Sequence, residues 1–189
     1  MDATTVSTVF ERIEREVWIV TATHGGRRGG LVATFVNPAS IVREMPRLVA
    51  GIAKTHETGK LIERSGTFAV HLVDESQLDL VWRFGLQSSR DGDKFVDLPF
   101  KSAATGSPIL CDALAWLDCR VEGRMDTGDR TIFLAEVVDG SLVSDKRPLG
   151  LQCLLKTAPP EKLALLRAQM GTDAARDAEE IARWRAARQ

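Results

Sequence analysis

The chain contains no tyrosine, and only three cysteines and three histidines are spread through its 189 residues. Cys111, Cys119 and Cys153 are too few and too scattered for a disulfide framework. His24, His56 and His71 stand apart from them and from one another, so no Cys/His cluster has metal-ligand spacing. No apolar run approaches membrane-spanning length, and Met1 to Thr8 lacks the basic and apolar regions of a secretory signal. The expected setting is therefore the reducing cytoplasm, with no membrane partner. A net charge of -1 gives no electrostatic basis for binding nucleic acid. Hydrolytic signatures are missing as well: there is no Gly-x-Ser-x-Gly elbow, and Ser40 has no base at evident spacing. Nor is there a Walker-type phosphate loop. Glu57 with Glu63, and Asp91 with Asp93, are pairs of carboxylates that read as solvated charges.

The chain does have β-type alternation. Val17 to Thr23 predicts a strand, preceded by a helical turn or two within Phe10 to Glu16. Gly25 to Gly30 predicts a turn with Arg27 and Arg28 solvated, and Leu31 to Asn37 predicts the returning strand, stopped by Pro38. A glycine cluster that joins two strands is not a dinucleotide phosphate turn, because that turn opens a helix. Leu48 to Ala53 and Thr67 to Val73 predict strands, with a helix over His56 to Ser65 between them. Asp74 and Gln77 form a capping-box pattern for a helix ending at Gly85, and Gln87 to Lys101 predicts a long loop. Ala113 to Glu122 predicts a strand, Gly123 to Asp129 a turn and Arg130 to Val138 a strand, with weak strands at Ser141 to Val143 and Gly150 to Leu155. After Pro159-Pro160 two helices are expected, the first ended by Gly171 and the second capped by Thr172. The expected fold is mainly β with short helices. A body of about six antiparallel strands, residues 1–157, precedes a C-terminal helical extension, residues 158–189, that packs on the body or on a partner subunit.

Gly29 to Ser40 is the stretch best suited to meet a ligand. Glycine permits close backbone approach, and a strand end leaves N–H groups for a flat polar molecule. Further motifs follow it in order: Gly30 to Phe35 with Ser40, then Lys54 and Thr58, then Ser65 to His71. Arg83-Phe84, Asp93-Lys94-Phe95, Pro108-Ile109-Leu110 with Ala113 to Val121, and Gly128-Asp129-Arg130 through Val137 complete the series. In that order the series resembles the flavin reductase-like family of FMN-binding split barrels, over about Glu16 to Asp139. The resemblance implies an FMN-binding split β-barrel and a homodimer. It also implies hydride transfer from NADH or NADPH to the flavin N5 with no catalytic side chain. FMN is the implied cofactor, with FAD as the alternative. Some members pass reduced flavin to an oxygenase partner. Carried over position by position, Ala33, Thr34 and Phe35 contact the ring system through backbone and hydroxyl groups. Ser40, Lys54 and Thr58 serve the ribityl chain and phosphate, and Lys94 adds phosphate charge. Trp116, between Leu114 and Leu117, reads as core.

Two positions depart from the pattern. Reductases of the family often carry histidine, associated with nicotinamide use, where this chain has Arg130, and His71 replaces a common asparagine. Arginine keeps its proton, but its planar fork can pair with a phosphate or carboxylate. Arg130 is thus the nicotinamide or second-ligand candidate. Either it holds a cofactor phosphate, or the chain is an FMN-binding or electron-carrier protein without nicotinamide activity. A barrel that has exchanged flavin for another anionic ligand is the third reading.

Overall fold

The computed structural model describes residues 2–87 and 92–188. Asp91 and the 88–91 part of the expected loop lie outside the described residues. The opening helix, α1 (Ala3–Glu11), is capped by Asp2, whose carboxylate accepts from the Thr4 amide; it lies earlier than the helical turn expected at Phe10 to Glu16. The chain then pairs β1 (Trp18–His24) with β2 (Arg27–Ala33), and the hairpin turn is only Gly25-Gly26. Gly29 and Gly30 are therefore not turn residues. They sit in the ladder opposite Ala22 and Thr21, where a missing Cβ lets other elements approach. A Cβ on Gly29 would lie 2.9 Å from Leu61, and one on Gly30 would collide with the Phe84 ring.

Next come β3 (Val36–Pro38), β4 (Arg47–Ala53), α2 (Glu57–Ser65), β5 (Thr67–Leu72) and α3 (Leu78–Leu86). The Asp74/Gln77 capping box forms as expected, and Gly66 ends α2 in the left-handed region. Two short strands, β6 (Phe100–Ser102) and β7 (Pro108–Leu110), form a separate ribbon. β8 (Ala115–Asp126) and β9 (Arg130–Leu142) make the longest hairpin. The expected turn at Gly123 to Asp129 is thus mostly strand, and Ser141 belongs to β9 rather than to a further strand.

Seven strands form one sheet in the order β2-β1-β5-β8-β9-β4-β3. Its two edges, β2 and β3, are consecutive in the chain and separated only by Thr34 and Phe35. The sheet therefore curls back on itself, leaving a seam at those two residues. Inside it lie Val20, Leu31, Ile52, Phe68, Phe133 and their neighbours, with Leu61 and Ile62 of α2 plugging one end. Each large side chain buried there contributes about 1.5–3 kcal/mol. A second apolar cluster outside the sheet joins Val17 and Ile19 to Phe84, Phe95 and Leu110. Trp116 is buried, as its apolar setting implied.

His71 is fully buried and bridges three strands. Its Nδ1 lies 3.0 Å from the Ile19 carbonyl, and its Nε2 accepts from the Leu110 amide at 3.1 Å. Burial pulls its pKa to about 4, so the ring is neutral and structural.

The C-terminal part differs most from expectation. Gly150 to Leu155 is not a strand: Gly150 makes one bridge to Glu16, and α4 (Leu151–Thr157) follows, burying Leu154. The expected helix pair is a single helix, α5 (Pro160–Ala186). Gly171 has open space beside it, and the Thr172 hydroxyl donates to the Ala168 carbonyl within the helix instead of capping a new one. No helix among the described residues is long and apolar enough to cross a membrane.

Candidate functional site

The site is built from the seam outwards. The Phe35 carbonyl accepts from the Gly51 amide at 2.9 Å, which ties the seam to β4. The amides of Thr34 and Phe35 donate to no acceptor among the described residues. The Phe35 ring lies on Gly51 and is 43% exposed. Thr34 is half-buried. The methyl group of Ala33 belongs to the barrel interior, so only its backbone is available to a ligand.

Farther along β2, Lys94 is 6% exposed. Its ammonium donates to the carbonyls of Gly30 and Phe84, each at 2.9 Å. The Phe84 carbonyl is in the last turn of α3, where the helix offers it no donor. Burial lowers the Lys94 pKa to about 8. The Asp93-Lys94-Phe95 pattern has a physical explanation here. Asp93 caps the Phe95 amide at 3.0 Å and pairs with Arg28 of β2, while Phe95 packs edge-on against Phe84 and Phe100. Arg28 also lies over the Phe95 and Phe100 rings. It is thus a clamp that seats Lys94, not a solvated turn residue.

Lys94 lines a polar cavity of about 260 Å³ together with Gly30, Thr55, His56 and Thr58. The start of α2 borders this cavity, and His56 at the N-cap makes no side-chain capping bond. Helix N-termini favour anions. Burial holds the His56 pKa below its usual value, opposed by the nearby Asp173. Thr58 is 1% exposed and lies in the first turn of α2. Gln169, Asp173 and Arg176 of α5 close the cavity from the other side.

The structure brings together Thr58 and Lys94, with Ala33, Thr34 and Phe35 farther along the same edge of the barrel. It does not bring Ser40 or Lys54 into that cavity. Ser40 accepts from the Val42 amide at 3.1 Å and lines an apolar groove of about 250 Å³ with Trp18, Val36, Ile41 and Val42. Lys54 pairs with Asp126 at 2.6 Å and lines a third cavity, of about 700 Å³, between α2 and the β8–β9 hairpin. Thr55 and His56 were not among the expected contacts; their place between a buried strand and a helix start was the available signal. The α5 residues carried none.

Arg130 lies opposite Ala53 in the β4–β9 ladder. Its guanidinium pairs with Asp129 at 3.1 Å and with Asp177 of α5 at 3.4 Å. Burial raises the Asp177 pKa, an effect that Arg130 opposes. Among the described residues no group of three or more metal-ligating side chains gathers.

Chemically, one edge of the barrel offers free backbone donors and an exposed aromatic ring, and at its other end a buried ammonium beside a helix N-terminus. That set fits a flat hydrogen-bonding ring carrying a phosphate tail. The family model described as flavin reductase like domain matches residues 10–153. A ferric-chelate reductase (NAD(P)H) of Archaeoglobus fulgidus is 28% identical over 142 residues, covering 74% of this chain and 83% of that protein. The reductase subunit HsaB of a flavin-dependent monooxygenase from Rhodococcus jostii is 37% identical over 111 residues, 59% of this chain and 55% of that one. The chain also matches diflavin flavoprotein A 1 of Synechocystis at 31% identity, spanning 22% of its length. Among solved structures, nitrilotriacetate monooxygenase component B from Mycobacterium thermoresistibile superposes with a TM-score of 0.68 at 30% identity, over 78% of this chain and 80% of that one.

Proposed function

Because the chain belongs to the flavin reductase-like family, we propose that it is an NAD(P)H-dependent flavin oxidoreductase of the cytoplasm that binds FMN along the barrel seam. One observation carries this reading. The free amides of Thr34 and Phe35 and the buried ammonium of Lys94 mark the two ends of a single strand edge. Gly30, whose carbonyl holds Lys94, is four residues from Thr34, so the ends lie about 13 Å apart at roughly 3.3 Å per residue. A flat ring joined to a phosphate through a five-carbon chain has that build.

A bound flavin would supply the redox chemistry, as the acceptor for hydride from a reduced nicotinamide. The amides of Thr34 and Phe35 would hold the ring's polar edge, and the Phe35 side chain would give it an apolar contact. Lys94, Thr58 and the start of α2 would hold the phosphate dianion. Ser40 and Lys54 line neighbouring cavities and carry none of this reading. Arg130 is the candidate partner for a nicotinamide phosphate and would exchange Asp177 for it. The relatives' names include a monooxygenase reductase subunit, which supports an oxygenase as the partner that takes the reduced flavin.

The Asp129–Arg130–Asp177 pairing also supports a second reading, an FMN-binding electron carrier without nicotinamide activity, because a guanidinium held by two carboxylates has little left to offer a nicotinamide. Purified protein titrated with FMN and then supplied with NADH or NADPH separates the two. Consumption of either nicotinamide supports the reductase, and a yellow complex reduced by dithionite but by neither nicotinamide supports the carrier. A protein that binds no flavin and oxidises neither nicotinamide overturns both. A homodimer is the proposed assembly. Supporting it, Ile41 is 100% exposed beside the apolar groove, Val42 and Met45 are exposed with it, and Trp18 there has a buried Nε1–H without an acceptor among the described residues.

A further inference from the structure

The family match ends at residue 153, so all of α5 lies beyond it, yet this helix runs across the candidate site. Its seat is specific. Gly128, in the β8–β9 turn, has φ +93°, and a Cβ there would lie 2.8 Å from the Trp184 Cβ, 3.0 Å from the Glu180 carbonyl oxygen and 3.2 Å from the Ile181 Cα. Helix backbone meets turn backbone at that point, and only glycine allows it. One turn earlier on α5, Asp177 holds Arg130. Another turn back, Asp173 and Arg176 pair with each other and, with Gln169, form the outer wall of the cavity that Lys94 lines from within.

We propose that α5 is a wall of the flavin site supplied by the chain itself, and that it selects FMN over FAD by closing the space beyond the phosphate, with Arg176 as its cation at the phosphate end. The inference rests on the flavin reading above. The cavity measures about 260 Å³. Pockets that hold a whole drug-sized ligand run from about 300 to 1,000 Å³. A terminal phosphate and the end of its chain fit within this cavity, whereas the adenosine phosphate that FAD adds would lie outside it, beyond the reach of its walls. Charge acts in the same direction: Lys94 and Arg176 both line the cavity, and the Asp173 carboxylate beside Arg176 disfavours a second phosphate. FMN presents a dianionic terminus there, and FAD presents two singly charged diester phosphates.

Fluorescence titrations of the full chain with FMN and with FAD test this, using wild type, Arg176→Ala and Gly128→Val, whose side chain collides with the α5 backbone and unseats the helix. Wild type is expected to bind FMN at least about tenfold more tightly than FAD. Arg176→Ala should weaken FMN by about tenfold and FAD by much less. Gly128→Val should tighten FAD and bring the two affinities within about threefold. Circular dichroism confirms folding, and if Gly128→Val unfolds, the wild-type preference and Arg176→Ala decide alone. Equal affinity of wild type for both flavins, or a preference unchanged in the folded variants, overturns the role of α5 and leaves the flavin site standing. Binding of neither flavin by wild type removes the flavin site and this inference together.

Discussion

Replacing Lys94 with methionine separates its structural role from its proposed ligand role. The ammonium is 6% exposed and has two carbonyl acceptors. Burial lowers its pKa from 10.5 to about 8. At about 1.4 kcal/mol per pH unit, keeping the charge at neutral pH costs about 3 kcal/mol. Methionine keeps the length and apolar stem, removes that cost, and leaves the Gly30 and Phe84 carbonyls without the donor, at roughly 1–3 kcal/mol each. The opposing contributions offset to within about 3 kcal/mol, so the melting temperature should move by less than about 10 °C in either direction. FMN binding has no such offset. Loss of a charge-assisted partner to the phosphate should weaken it by about 1.5–3 kcal/mol, roughly 10- to 100-fold in Kd. Riboflavin, which lacks the phosphate, should bind both proteins alike. Wild-type affinity for FMN should fall as pH rises through about 8, where Lys94 loses its proton, and Lys94→Met should show no such fall. Equal FMN affinity in the two proteins, or equal losses for FMN and riboflavin, would refute the phosphate role.

The folded state keeps His71 neutral down to about pH 4, whereas the unfolded chain takes up the proton below 6.5. Its contribution is therefore complete above pH 6.5 and is lost as pH falls towards 4, about 3 kcal/mol in all. Urea midpoints at pH 7, 6 and 5 should show this decline, and His71→Gln should flatten it; parallel slopes would exclude His71 as its source. Gly128→Ala places a Cβ against the α5 backbone at positive φ and should cost about 1–3 kcal/mol, with faster hydrogen exchange in α5 than elsewhere. Exchange spread evenly over the chain would show that the turn does not seat the helix. The proposed homodimer predicts the mass of two chains for wild type in light scattering and of one for Ile41→Asp; a monomeric wild type would refute the dimer, and an unchanged dimeric mass would place the subunit contact elsewhere.

Local signals were legible where local chemistry decides. The alternation of Val17 to Thr23, the buried run of Leu48 to Ala53, the Asp74/Gln77 box and the end of α2 at Ser65 all appear as expected. Glycine was misleading where tertiary packing decides: Gly29 and Gly30 make room for α2 and Phe84 instead of turning the chain. At Gly171 and Thr172, helix-breaking and capping propensities yield to the continuity of an exposed helix. The Asp93-Lys94-Phe95 pattern pointed to Lys94, but the Arg28 clamp that seats it required the fold. Ser40 and Lys54 belong to the same motif series, yet the loop after β3 and the Asp126 pairing draw them towards other cavities. Asp177, which meets Arg130, lies 47 residues away and left no local trace.

Arg130, clamped between Asp129 and Asp177, makes nicotinamide use the central claim to test. The most direct measurement is the visible spectrum of the purified chain with bound FMN, recorded without air before and after addition of NADH or NADPH. The account predicts that the flavin band bleaches with at least one nicotinamide. A band unchanged by both, yet bleached by dithionite, would contradict it.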